Sequence, residues 1–213
     1  MNHQDNLNII LEFLENNPMF YPGTDDDEKR YDFFSEDMKQ NIIKKYHKEV
    51  ERIGIYQPKP NVQPWDPVWS LIIQHKFPDI ELPDASQMAY IKSYQKAAEQ
   101  IGGNILEYYI NSIIQKDYWV WAIGAVVSHT DFIKKEEDGS WSLLQIKSRY
   151  NTENAASKNS RISLARDTGQ EILHWYRFKI NGQTNWEEFP LESSNLKLSE
   201  EDFQDFIIRN LHI

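Results

Sequence analysis

The sequence predicts an α/β (α+β) fold in which a mixed β-sheet is flanked by helices. Apolar residues recur at helical spacing in the first 53 residues and again after residue 84. From residue 118 to 150 the chain is instead rich in Val, Ile, Trp and Thr, which is typical of strands. Helix-start signals return near residues 168 and 199. These runs predict helices packed on a sheet in one globular unit.

The N-terminal region, residues 1–85, is predicted to be helical and proline-rich and to pack on the core. Ile10, Phe13 and Leu14 lie at helical spacing, and Ser35 is the expected cap of a second helix. The acidic run at residues 25–28 is interpreted as a solvated loop. Residues 56–84 hold six of the nine prolines, so an irregular extended segment is expected there.

The core is predicted to span residues 86–213. A long helix is expected to begin at Asp84, followed by strands at residues 118–133 and 141–150. Thr168, with an acid three residues later, predicts another helix, and Ser199 predicts the last one.

Composition excludes several kinds of protein. The chain has no cysteine, which excludes disulfides, zinc–thiolate sites and cysteine nucleophiles and suits a reducing cytoplasm. It has no membrane-spanning apolar run and no signal-peptide pattern, so a cytoplasmic protein without membrane contact is expected. Any metal must be held by oxygen or imidazole.

A hairpin brings polar side chains together. If residues 137–139 form a three-residue loop with glycine in the left-handed position, residues whose numbers sum to 276 lie opposite one another. Asp131 then lies across from Gln145, with Cβ atoms roughly 5 Å apart. Because strand side chains alternate, Gln145 and Lys147 share a face, while Ile146 points to the core and offers its carbonyl oxygen.

This group suits phosphodiester hydrolysis, which needs a divalent cation and a water nucleophile. Mg²⁺ prefers oxygen ligands, and the candidates are Asp131, Gln145 and the Ile146 carbonyl. Lys147 would hold the attacking water or stabilise the phosphate, and Glu107 on the preceding helix could supply a further carboxylate. The alternative is an ordinary surface hairpin, since the pattern is short. A lysine within an otherwise apolar strand favours the catalytic interpretation.

The segment after the hairpin is the most cationic part of a chain whose net charge is −10. Residues 145–179 carry seven basic and three acidic side chains. Arginine and asparagine read base edges, and lysine binds phosphate. The candidate DNA contacts are Arg149, Asn151, Asn154, Lys158 and Arg161. A polar surface loop with no ligand is the equally weighted alternative.

Two further features are interpreted as structural. His129, beside Asp131, could be a base or a ligand, but a lone histidine next to a strand is more often structural. Trp119 and Trp121 are interpreted as core residues rather than as a platform for stacking bases.

These residues resemble the SinI-like type II restriction endonucleases of the PD-(D/E)XK nuclease superfamily. The likeness covers about residues 90–190. It rests on residues 101–110, 131–133, 144–149, 151–154, 175 and 184–186. By this resemblance Asp131 corresponds to the motif aspartate and Lys147 to the motif lysine. Gln145 stands where the superfamily usually has Glu or Asp, and Thr130 replaces the proline.

The resemblance implies a restriction-endonuclease-like core and Mg²⁺-dependent cleavage of double-stranded DNA at a short palindromic, GC-flanked site. It also implies a homodimer and a companion DNA methyltransferase that protects the host. The leading hypothesis is therefore a type II site-specific deoxyribonuclease. The alternatives are a non-catalytic or weakly active DNA-binding or repair module of the same fold, and a protein-interaction factor.

Overall fold

The fold contains a four-stranded mixed sheet and six α-helices within the described part of the chain. It is a computed structural model, and it describes residues 2–22, 33–53, 67–79, 82–149, 155–191 and 196–210. The helices are α1 (His3–Asn16), α2 (Glu36–Val50), α3 (Pro67–Lys76), α4 (Leu82–Ile114), α5 (Ala155–Thr168) and α6 (Glu200–Asn210). The strands are β1 (Val120–Trp121), β2 (Phe132–Lys135), β3 (Trp141–Arg149) and β4 (Ile172–Phe178).

The sheet has the strand order β1-β2-β3-β4. The first three strands pair antiparallel, and β4 pairs parallel with β3. The predicted class, a mixed sheet flanked by helices, is confirmed. None of the described helices is long and apolar enough to cross a bilayer.

Two compact units make up the chain. One comprises Met1–Gly54 with Leu106–Ile213, and the other comprises Ile55–Ile105. The first unit contains the whole sheet and the end of α4. The predicted boundary between residues 85 and 86 stays a prediction.

The N-terminal helices begin where the sequence predicts. Helix α1 buries Ile10, Phe13 and Leu14, and Ser35 caps α2 by accepting a hydrogen bond at Oγ from the Met38 amide at 3.2 Å. Such a cap satisfies an amide that has no partner within the helix. The acidic run at residues 25–28 lies outside the described residues.

The proline-rich stretch is regular in part, so the expectation of an irregular segment is wrong for residues 67–76. Pro67 is the first residue of α3, a position where the missing amide hydrogen costs nothing. The next helix, α4, begins at Leu82, so Asp84 lies inside it and is not its cap. Pro83 again falls in the first turn, where proline is tolerated.

The β2–β3 hairpin has the predicted register. Phe132 pairs with Leu144, and the Glu136 amide donates to the Ser140 carbonyl at 2.9 Å. Gly139 has a φ of 85°, the left-handed conformation that closes a three-residue loop. Turn chemistry therefore sets this pairing locally. The predicted register, in which the numbers of paired residues sum to 276, is confirmed for residues 132–135 of β2.

The segment 118–133 is not the single strand that was expected. Only Val120–Trp121 and the last residues are strand, and the chain between them is a loop. Gly124, Ala125 and His129 have φ values of 76°, 51° and 55°, which no strand accommodates.

The predicted helix after Thr168 is also wrong. Thr168 ends α5, where its Oγ1 donates to the Leu164 carbonyl at 2.8 Å, and Gly169 turns the chain with a φ of 68°. The following residues then pair with β3 as β4. Parallel pairing with β3 outweighs the local capping signal because it satisfies the backbone groups on one side of a segment rich in strand-forming Ile, Trp, Tyr and Phe.

The last helix and the tryptophan core are as predicted. Ser199 caps α6 by accepting the Asp202 amide at 3.0 Å. Trp119 and Trp121 are buried.

Segment 148–161 is helical from residue 155 onward rather than a loop, and residues 150–154 lie outside the described residues.

Candidate active site

Asp131 lies at the start of β2 and is held against β3 by two hydrogen bonds. Its amide donates to the Leu144 carbonyl at 2.9 Å, and its Oδ2 accepts from the Ile146 amide at 2.7 Å. These two bonds lie on either side of Gln145. The carboxylate is therefore fixed beside the peptide group that joins Gln145 to Ile146, through the Ile146 amide hydrogen.

Glu107 approaches this position from the last turns of α4. Its Oε2 accepts a hydrogen bond from the Trp121 indole Nε1 at 2.9 Å. Burial raises the pKa of Glu107 to about 8, and the nearby charge of Asp131 raises it too. The Trp121 hydrogen bond and the charge of Lys147 act in the opposite direction. Trp121 was missed as a site residue, although a buried indole N–H normally needs an acceptor.

Asp131 is also buried in a way that disfavours its charge. Burial raises its pKa to about 6, and the Ile146 amide and the Lys147 charge lower it. Two carboxyl groups that raise the cost of each other's ionisation are a common sign of a functional site. A cation between them would remove that cost.

Lys147 lies two residues after Gln145 on β3 and is half-buried. Its ammonium group favours the charged form of both Glu107 and Asp131. The structure therefore brings two carboxylates and one lysine together, although they come from α4, β2 and β3.

The side-chain oxygen of Gln145 is a hydrogen-bond acceptor that receives no hydrogen bond from the described residues. Its side chain is 7% exposed, and its Oε1 is buried without a hydrogen-bond partner among the described residues. A buried oxygen in that state costs about 1–3 kcal/mol unless something binds to it. It is the kind of atom that a metal ion or an ordered water completes.

Oxygen donors of this kind fit a small hard cation. No group of three His, Cys, Asp or Glu side chains suited to a metal occurs in the described residues. Mg²⁺ needs fewer than that, since it keeps several waters and takes one or two carboxylates from the protein. Glu107, Asp131 and the open Gln145 oxygen meet this requirement.

Part of the cationic segment is neutralised within the fold. Arg166, Arg177 and Lys179 form ion pairs with acidic side chains. None of these three is among the candidate DNA contacts, so the local excess of positive charge is smaller than the count of basic residues suggests.

The structure describes only some of the residues that are predicted to contact DNA. Arg149 is exposed at the end of β3, with its guanidinium 5.9 Å from the Phe178 ring centre, and Arg161 is half-buried on α5. Asn151 and Asn154 lie outside the described residues. Lys158 belongs to α5, but its side chain is not described.

His129 has a structural contact. Its Nε2 is hydrogen-bonded to the Ser160 Oγ at 3.2 Å, which joins the loop before Asp131 to α5. The buried Thr130 lies between His129 and Asp131.

Two carboxylates and a lysine beside the middle strands β2 and β3 are groups that metal-assisted phosphodiester hydrolysis can use, and sequence comparison places the chain in a family of nucleases. The profile of the SinI restriction endonuclease family matches residues 2–213, and the chain belongs to that family. The match includes the N-terminal region, which the resemblance seen in the sequence did not reach.

Two curated relatives are similar to this chain. It is 33% identical over 153 residues to the type II restriction enzyme Eco47I of Escherichia coli. It is 35% identical over 153 residues to the type II restriction enzyme SinI of Salmonella infantis. Each alignment covers 71% of this chain and 64% of the relative, so the matched part spans just under two thirds of these relatives.

Proposed function

We propose that this protein is a type II restriction endonuclease that hydrolyses phosphodiester bonds in double-stranded DNA at a specific site. The observation that carries the proposal is that Asp131 is held against the Gln145–Ile146 peptide of β3, with Glu107 and Lys147 close enough for their charges to interact with it. Membership of the SinI restriction endonuclease family supports it.

Mg²⁺ is the proposed cofactor. Asp131 and Glu107 would hold it with their carboxylates, Gln145 with its amide oxygen, and Ile146 with its carbonyl. When bound, the ion supplies Lewis acidity and lowers the pKa of water at neutral pH. The Ile146 amide keeps the Asp131 carboxylate oriented, and the Trp121 indole does the same for Glu107.

Lys147 is proposed to act on the phosphate. Its ammonium lies within the field of both carboxylates and can donate to the attacking water or to a phosphate oxygen. In a partly desolvated site, such a donor stabilises the negative charge that develops during attack.

DNA contacts are assigned to the polar segment that follows β3. Arg149, Asn151, Asn154, Lys158 and Arg161 would contact the duplex, the cations at phosphates or guanine and the amides at adenine. The proposed target is a short palindromic, GC-flanked site cut by a homodimer in the cytoplasm, with a companion methyltransferase protecting the host's own copies.

Plasmid digestion tests the proposal directly. Incubation with Mg²⁺ should give discrete fragments, and EDTA should prevent their formation. Lys147→Ala should reduce cleavage by at least about a thousandfold while DNA binding in a gel-shift assay changes less than about threefold. Lys197→Ala removes an exposed lysine outside the site and is the matched control.

A non-catalytic DNA-binding module is the second candidate, because Gln145 supplies a neutral amide where a carboxylate is usual. Specific binding of duplex DNA without cleavage in Mg²⁺ or Mn²⁺ would favour it. Failure to bind any duplex across low and moderate salt would contradict both candidates and favour a protein-interaction factor.

A further inference from the structure

The loop that precedes Asp131 has a left-handed backbone at two non-glycine residues, Ala125 and His129, and His129 is the nearer of the two to Asp131. His129 has a φ of 55°, in the left-handed region that non-glycine residues seldom adopt. Residues in this conformation persist where the surrounding contacts enforce it, and they concentrate at functional sites. One contact that holds His129 in place is the hydrogen bond between its Nε2 and the Ser160 Oγ on α5.

The rest of the loop is anchored to the N-terminal helical region. The Lys45 Nζ donates to the Ala125 carbonyl at 3.0 Å, and the Ser128 amide donates to the Phe20 carbonyl at 2.8 Å. These bonds fix the loop up to Ser128. From there only His129 and Thr130 separate the anchored backbone from Asp131.

Helix α5, which contacts this loop through Ser160, also carries proposed DNA contacts. Ser160 is followed directly by Arg161, one of the proposed DNA contacts, and Lys158, another of them, also belongs to α5. The His129–Ser160 hydrogen bond therefore joins the proposed DNA-contacting helix to the backbone that carries Asp131.

We propose that His129 is a positioning residue that couples DNA engagement at α5 to the placement of the Asp131 carboxylate. The inference rests on the proposed endonuclease function. Displacement of a catalytic group by about 1 Å can slow a reaction by about a hundredfold, so a bond that fixes the backbone two residues away has a measurable effect on rate. It has little effect on DNA affinity, because neither His129 nor Ser160 needs to contact the duplex.

Four variants test this role. Ser160→Ala removes the hydroxyl from the helix, and Ser160→Thr keeps it. His129→Gly removes the imidazole and still permits a positive φ. The fourth variant combines Ser160→Ala with His129→Gly, and Ser163→Ala on the same helix is the matched control.

Single-turnover cleavage and DNA affinity are measured for each protein. Ser160→Ala and His129→Gly should each cleave about 10- to 100-fold more slowly, with the dissociation constant for DNA within about threefold of wild type. The double variant should be no slower than the slower single variant, because both remove the same interaction. Ser160→Thr and Ser163→Ala should cleave within about threefold of wild type. Full-rate cleavage by Ser160→Ala, or additive losses in the double variant, would overturn the inference.

Hydrogen exchange gives a second readout that does not depend on cleavage. The Asp131 amide is bonded to the Leu144 carbonyl, and its exchange in Ser160→Ala should be about tenfold faster than in wild type under metal-free conditions. Unchanged exchange would contradict the positioning role. If the wild-type protein cleaves no DNA, the proposed function fails, and the exchange experiment still decides whether the hydrogen bond positions Asp131.

Discussion

Replacing Glu107 by glutamine should stabilise the metal-free protein at alkaline pH. Burial and the neighbouring Asp131 raise the pKa of Glu107 from 4.5 to about 8. Each pKa unit corresponds to about 1.4 kcal/mol, so ionising this carboxyl in the folded state costs up to about 5 kcal/mol. Because the side chain keeps some solvent contact, we take about 3 kcal/mol as the expected effect.

The sign of the pH dependence follows from the raised pKa. A carboxyl group whose pKa is higher in the folded than in the unfolded state favours folding while it is protonated. That contribution is fully present below about pH 4.5 and is lost as the pH rises to about 8. The wild-type protein in EDTA should therefore lose stability between pH 5 and pH 8.5, and Glu107→Gln should lose much less.

Urea denaturation at pH 5 and pH 8.5, in EDTA, measures this difference. Glu107→Gln should equal wild type within about 1 kcal/mol at pH 5 and exceed it by about 3 kcal/mol at pH 8.5. Glu136→Gln is the control, because hydrogen bonds from Ser142 and Lys134 lower the pKa of Glu136. Its loss of stability should be similar at both pH values. A Glu107→Gln protein that is no more stable than wild type at pH 8.5 would refute the reasoning.

Four other substitutions have defined outcomes. Gln145→Glu adds a charged oxygen ligand and should lower the Mg²⁺ concentration for half-maximal cleavage about tenfold; an unchanged titration would place the amide away from the ion. Gly124→Ala should destabilise the fold by about 2 kcal/mol, because the added Cβ meets the side chain of Glu49. Gly139→Ala should cost about 1 kcal/mol, since its Cβ meets no described atom and only the positive φ opposes it; thermal denaturation compares the two variants. Glu200→Gln weakens the pair with Arg177 and should cost about 2 kcal/mol in urea denaturation while cleavage is retained.

Stability and function oppose each other at this site. Glu107 and Asp131 are both buried where their charged forms are disfavoured, and Gln145 has a buried oxygen without a partner in the described residues. A chain selected for stability alone would not keep these three groups together. Their cost is offset if a cation binds between them, which is why the stability measurements are made in EDTA.

Secondary-structure signals failed where distant partners decided the outcome. The capping signal at Thr168 is a local pattern, but the segment after it forms β4 because β3 offers hydrogen-bond partners along one whole side of that segment. The segment from residue 118 was read as one strand because its composition is β-like. Contacts from Tyr21, from α2 and from α5 instead hold part of it as a loop.

The sequence by itself determined the hairpin and the spacing along it. Gly139 in a three-residue loop sets the β2–β3 register, which brings Asp131 next to Gln145 and Lys147 without any help from the rest of the chain. Only the tertiary structure decided that Glu107 and Trp121 complete the group. A turn and its register depend on a few adjacent residues, whereas the meeting of a helix with a sheet edge depends on how the whole core packs.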